Sequence, residues 1–154
     1  MMDDKNMELW NAVCQSDPRY LKPVALGARK FTAIDPMYQV MSATKAFGPV
    51  GIKWGWSAKT EFVNLSNGDT AVISHVEVWT DKPENVFGPF AGCRKFFDST
   101  KGRMNEDGPK MSITDALTKC LSHLGFNADV FLGEYDGNKY TANPKSNDPE
   151  GDGW

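Results

Sequence analysis

The chain has little of the residue types that most directly announce chemistry. Only two histidines, His75 and His123, and three cysteines, Cys14, Cys93 and Cys120, occur in 154 residues. An odd number of widely spaced cysteines argues against a disulfide scaffold, and without a CxxC pair there is little on which to build a zinc site. Buried thiols are the expectation for all three. No run of eighteen apolar residues occurs, and the N-terminal MMDDKN is acidic rather than signal-like. A cytosolic protein without a membrane partner is expected. GxGxxG, a Walker-type GKS or GKT, HExxH and a nucleophile elbow are all missing. Nucleotide-fold, zinc-peptidase and serine-hydrolase signatures are therefore absent.

What is present is a length suited to one domain with a real core, and a charge that is unevenly placed. The formal net charge of −3 argues against a nucleic-acid partner only on average. Arg19, Lys22, Arg29, Lys30, Lys45, Lys53 and Lys59 face Asp35 alone across the stretch from residue 19 to residue 59. Acidic ends frame that basic fragment: Asp3, Asp4, Glu8 and Asp17 at the start, and Glu134, Asp136, Asp148, Glu150 and Asp152 at the finish. This pattern suits an anion-binding stripe that the mean conceals, and it equally suits ordinary solvated surface.

Periodicity orders the chain as helix, helix, three strands, helix, tail. NMELWNAVCQ places Leu9, Trp10, Val13 and Cys14 on one side of a short helix that Asp17-Pro18 stops. The segment Arg19 to Thr32 has no clean period and reads as a loop with a short extended piece. Asp35-Pro36 starts a second helix, which Gly48-Pro49 ends. The period then becomes two: Ile52 to Phe62 puts Trp54, Trp56, Ala58 and Phe62 opposite Lys53, Ser57, Lys59 and Glu61. Thr70 to Thr80 and Phe90 to Thr100 supply two further strands, and the polar GRMNEDG segment reads as an exposed loop. A capping box, Ser112 with Asp115, predicts the start of the third helix, whose apolar face is Ile113, Ala116, Leu117, Cys120, Leu121 and Leu124, with Gly125 at its end. Short connections favour an antiparallel meander with helices on one face.

Two kinds of site chemistry can be assembled from these pieces. Glu61, Asp69, Glu77 and Asp98 could be gathered for metal-dependent nuclease work, although exposed strands and turns normally carry such residues. Nucleic-acid binding has more behind it. Lys53 and Lys59 interleave with Trp54 and Trp56, and Arg94-Lys95 adjoins Phe96-Phe97. Cations hold phosphates while an aromatic ring accepts a base. Core packing is the competing reading of the two tryptophans, with Lys53 and Lys59 then making the contacts from the opposite face.

At this point the residues resemble a family. TDALTKCLSHLGF, Thr114 to Phe126, resembles the helix of Rad52-like single-strand annealing proteins, and Phe47-Gly48 followed by Gly55-Trp56 resembles that family's passage from helix to first strand. The strings LWNAVCQSDPRYLKPV, RKFTAIDPMYQVMSATKAFGPVGIKWGW and TDALTKCLSHLGFNADVFLGEYDGNKY are similar to short phage-encoded annealing proteins of that superfamily. The likeness runs from Leu9 to Tyr140. It implies an α+β fold with a Rad52-like β-β-β-α core, a three-stranded antiparallel meander packed by helices, over residues 1–142. It also implies a homo-oligomer in a ring or open ring, and a groove for single-stranded DNA. The implied activity is ATP-independent annealing in phage recombination or replication, in the cytoplasm of the bacterial host, without catalytic residues, cofactor or metal.

The family's helix bases fall at Thr118, Lys119 and Ser122, and another near Tyr38 or Gln39, so only Lys119 keeps its charge. The DNA contacts are therefore expected from Arg29, Lys30, Lys45, Lys53, Lys59, Arg94, Lys95 and Lys119, with Trp54 and Trp56 as candidate base-stacking residues. Residues 143–154 read as a flexible acidic tail ending in Trp154, either a solubilising end or a dock for replication or recombination proteins. The other functional class is a phage structural or interaction protein that oligomerises without touching DNA.

Overall fold

Asp35 and Pro36 act as their types predict: the Asp35 carboxylate accepts the Met37 amide at 2.9 Å, and the helix that follows spans Pro36–Phe47. In the computed structural model, which describes residues 4–135, this helix is α2. The others are α1 (Glu8–Val13), α3 (Gly108–Ser122) and α4 (Ala128–Phe131). The strands are β1 (Leu21–Leu26), β2 (Arg29–Ile34), β3 (Trp54–Asn64), β4 (Thr70–Thr80), β5 (Val86–Asp98) and β6 (Arg103–Met104). The acidic segment 143–154 lies outside the described residues. The chain divides into two compact units, one from the described parts of Met1–Ala46 and Ser122–Trp154, the other from Phe47–Leu121.

The expected Rad52-like core with a single three-stranded meander is overturned. Among the described residues the strands form two separate antiparallel sheets, β1-β2 and β3-β4-β5-β6, accompanied by four α-helices. Two segments read as loops are the cause. Pro23 and the clustered bases hide the period of β1 and β2, yet in a two-stranded ribbon both strands are edges, where a proline is tolerated. In the GRMNEDG segment, Met104 and Arg103 pair with Phe97 and Asp98, which adds a short fourth strand.

In the second unit β4 is central. Val72, Ser74, Val76 and Val78 on one of its faces are fully buried. α3 covers this face. Its Ser112 hydroxyl bonds the Ser74 hydroxyl at 2.6 Å, and its Cys120 thiol donates to the Val76 carbonyl at 3.2 Å. Burial pushes that thiol up to about 11. Only Cys120 meets the expectation of a buried thiol, since Cys14 is half-buried and Cys93 exposed. α3 also passes directly over Gly92 of β5, where a side chain would collide with the helix backbone.

The helix begins at Gly108, ahead of the expected capping box, because Pro109 fits its first turn and Asn105 accepts the Asp107 amide at 3.1 Å. Ser112 and Asp115 are used for packing instead, the latter in a two-pronged pair with Arg94 at 2.6 and 3.1 Å. The buried face of Ala116, Leu117, Cys120 and Leu121 is the one its spacing predicts.

The first unit joins the two ends of the described chain. The Asp129 carboxylate, 3 % exposed, accepts the Ser16 amide at 2.7 Å and the Ser16 hydroxyl at 2.6 Å. Asn127 donates to that hydroxyl at 2.7 Å and accepts from Gln39 at 3.1 Å. Gly125 has a φ of +105°, and Trp10 packs so closely on it that a Cβ would sit 2.8 Å from the indole.

Asp69 fastens the β3–β4 turn to the segment after β5. It accepts the Ser99 amide and hydroxyl, both at 2.8 Å, and Lys95 lies 3.3 Å away. These donors, Ser99 first, hold its carboxyl down at about 2. A depressed folded-state value means that the contribution to stability is complete above the ordinary value of 3.8 and is lost as pH falls toward 2. Urea titrations of the native chain and Asp69→Asn should therefore differ most at pH 5–7 and converge as pH approaches 2. A gap that stays constant over that range contradicts this assignment.

Candidate functional site

A concave surface of the first unit is built in the segment that follows α1. α1 ends at Val13, before Asp17-Pro18 is reached, and Asp17 then opens a single 3-10 turn, Pro18–Tyr20, accepting the Arg19 amide at 3.0 Å and the Arg19 guanidinium at 2.6 Å. Hydrogen bonds from Arg19 hold the Asp17 carboxyl below its usual range and raise the guanidinium further. The Asp17 amide donates to the Tyr38 hydroxyl at 2.8 Å. That bond draws the turn onto α2 and stacks Tyr20 on Tyr38, with ring centroids 4.5 Å apart and planes 11° from parallel.

The result is a cleft of about 640 Å³ whose walls include Val13, Tyr20, Tyr38, Met41 and Lys45. A second groove, of about 400 Å³, runs beside β1 and β2 past Lys22 and Asp35. Arg19 and Tyr20 line both. In the β1–β2 register, Lys22, Arg29 and Phe31 share one face and Lys30 lies on the other. Arg29 stands 5.1 Å from the Phe31 ring centroid. A track therefore runs from Lys45 through Arg19 and Tyr20 to Lys22, toward Arg29. Lys22 and Lys45 make no ion pair among the described residues, so their charge remains available to an anion. The track combines a cleft walled by stacked tyrosines and apolar side chains with the cations Lys45, Arg19 and Lys22 along its length.

The residues nominated from sequence divide between the units. Arg29, Lys30 and Lys45 belong to the first; Lys53, Lys59, Arg94, Lys95 and Lys119, with Trp54 and Trp56, belong to the second. Within the second unit they do not converge. Lys59 and Lys95 lie on the sheet face opposite α3, while Arg94 shares the α3 side through its pair with Asp115. Lys53 is in the exposed turn before β3, and Lys119 is exposed on α3. Lys95 is engaged with Asp69 and Asp98 at 3.3 and 3.6 Å. Trp54 is fully buried against Phe47, so it packs the core and offers no face to a base. Trp56 is 37 % exposed.

Tyr20 and Tyr38, which shape the cleft, were not nominated. Their one sequence signal is position: Tyr20 follows the D-P-R turn, and Tyr38 is in the first turn of the helix that Asp35 caps. Glu61 and Glu77 lie on the sheet face away from α3, while Asp69 and Asp98 flank Lys95. Among the described residues no group of three or more His, Cys, Asp or Glu is arranged to hold a metal ion. Nor is any described helix long and apolar enough to cross a membrane. No protein-family model matches the chain, and no curated protein matches it.

Proposed function

We propose that this chain binds single-stranded DNA along the track of the first unit and, as a homo-oligomer, promotes ATP-independent annealing of complementary strands. The setting proposed is phage recombination or replication in the bacterial cytoplasm. The observation that carries the reading is the junction at Arg19 and Tyr20, where an aromatic-walled cleft meets the groove that carries Lys22. Single-strand binding draws on cations that hold phosphates and on nearby aromatic side chains, and both residue types meet here. The resemblance of Leu9 to Val24 and of Thr114 to Tyr140 to phage annealing proteins supports the same reading. Annealing would be accelerated by holding extended strands near one another and by relieving phosphate repulsion.

The test is a titration of a labelled 40-nucleotide single strand over a salt series. With Lys22, Arg29 and Lys45 all replaced by alanine, affinity at low salt should fall by about 10-fold or more. The slope of log K against log salt should lose about 2, near 0.7 for each phosphate contact. Unchanged affinity and slope would sink the assignment. The matched triple at Lys53, Lys59 and Lys119 reports whether the second unit shares the strand. Annealing itself predicts faster duplex formation with intact strands and no ATP, whereas shortening that requires magnesium or manganese would make the protein a nuclease.

A further inference from the structure

β3 is an edge strand. It pairs with β4 along its whole length and with no other strand among the described residues. Trp56 through Asn64 are exposed, without a proline or a bulge to interrupt them. The pairing also shows which backbone groups face outward. The Lys53 carbonyl accepts from Asp81 and the Leu65 amide donates to Asp69, so the odd-numbered residues direct their backbone groups toward β4. The even-numbered ones, Trp56, Ala58, Thr60, Phe62 and Asn64, present theirs to the open edge. The Trp54 carbonyl, first in that series, is already taken by the Gly51 amide at 2.6 Å. An open, regular edge of this length is a template for another strand.

The side chains say which strand fits. Lys59 and Glu61 project from the face opposite α3, and among the described residues neither makes an ion pair. A second copy of β3, running antiparallel about a two-fold axis at Thr60, brings Lys59 opposite Glu61 of the second copy, and the reverse. Only even-numbered residues can hydrogen-bond across this edge, so a symmetric register must place the axis on a residue and never between two. Centring the axis on Lys59 or Glu61 keeps even-numbered residues opposite one another but sets Lys59 against Lys59, or Glu61 against Glu61, so that like charges oppose. Centring it on Ala58 or Phe62 separates the opposite charges. The Thr60 register also sets Phe62, 54 % exposed, across from Ala58, and Trp56 across from Asn64, so the bulky ring meets the small side chain.

We infer that β3 is a self-association edge, through which two copies join their four-stranded sheets into one antiparallel sheet across a two-fold at Thr60. A contact of this kind closes on itself and yields a dimer, with no dependence on DNA. It rests on the second unit alone and stands whether or not the single-strand reading does.

The experiment is sedimentation of the full chain without nucleic acid, comparing native protein with Lys59→Glu, Glu61→Lys and the double reversal. Each single reversal sets like charges opposite one another twice per dimer and should weaken the dimer by about 10-fold or more. The double reversal rebuilds both pairs and should restore it. Ala58→Pro removes an outward amide while leaving the bonds to β4 intact, and should give a folded monomer by circular dichroism and sedimentation. A native chain that is monomeric at tens of micromolar overturns the inference. So do an assembly that the single reversals leave intact and a double reversal that fails to recover.

Discussion

Gly92→Ala should destabilise the protein by about 3 kcal/mol, at the upper end of what forced overpacking costs, and lower its melting temperature by about 10 °C. A Cβ at Gly92 would overlap the Ser112 carbonyl oxygen and lie 2.7 Å from the Ala116 amide nitrogen and 3.0 Å from the Asp115 Cβ. Two of those neighbours are helix backbone, which has no rotamer by which to escape. α3 must lift, and it cannot do so without disturbing the Ser74–Ser112 bond and the Arg94–Asp115 pair. Gly108→Ala is the control, because its nearest neighbour is a Val72 methyl at 3.4 Å, an ordinary contact. Thermal melts of both variants beside the native chain decide the matter. If Gly92→Ala melts with the native protein, α3 does not pack on β5 where Gly92 lies.

Periodicity made the packed parts of the second unit legible. Alternation in TAVISHVEVWT places Val72, Val76 and Val78 on one face, and that is the buried face of β4. The spacing of Ala116, Leu117, Cys120 and Leu121 likewise gives the buried side of α3. Both patterns arise because burial is one-sided, which writes a period into the chain. No residue of β1 or β2 is buried, so no such selection marks the ribbon, and its strands leave no period in the sequence. The same physics explains the divided site. Charge along the chain showed that bases cluster between residues 19 and 59, but sequence order does not say which element or which face carries each one. Lys22 and Lys45 prove to lie along one track of the first unit, while Lys53 and Lys59 are elsewhere. Arg94 and Lys95 look available in sequence because two of their partners, Asp115 and Asp69, come from the helix and the turn that the fold brings alongside, while Asp98 lies three residues on in the same strand. Trp54 was ambiguous for another reason: an i, i+2 pair of aromatics on a strand has the same spacing whether it packs a core or stacks a base.

Asp129→Ala should cost about 3 kcal/mol and should act on the first unit ahead of the second. The carboxylate is 3 % exposed and accepts from the Ser16 amide, the Ser16 hydroxyl and its own neighbour's amide at Val130, at 2.7, 2.6 and 2.8 Å. Removing it strands buried donors that water cannot reach, and hydrogen bonds to a charged acceptor are the costly ones to lose. The loss falls where the N-terminal segment meets the C-terminal one. The Asp129 amide also reaches the Cys14 carbonyl at 3.1 Å, and Asn127 links Ser16 to Gln39 of α2. Amide hydrogen exchange should therefore accelerate in α1, α2 and the β1–β2 ribbon more than in β4 and β5. Equal acceleration in both units would mean that they unfold as one and that the Ser16–Asp129 bond has no local role. Asp129→Asn keeps the shape and one acceptor but turns a donor toward Ser16, so its cost should fall between those of the native chain and Asp129→Ala. Ser16 immediately precedes Asp17, whose amide fixes Tyr38 and whose carboxylate holds Arg19. If single-stranded DNA follows the track through Arg19 and Tyr20, Asp129→Ala must also weaken its binding, although it leaves every cation of the track in place.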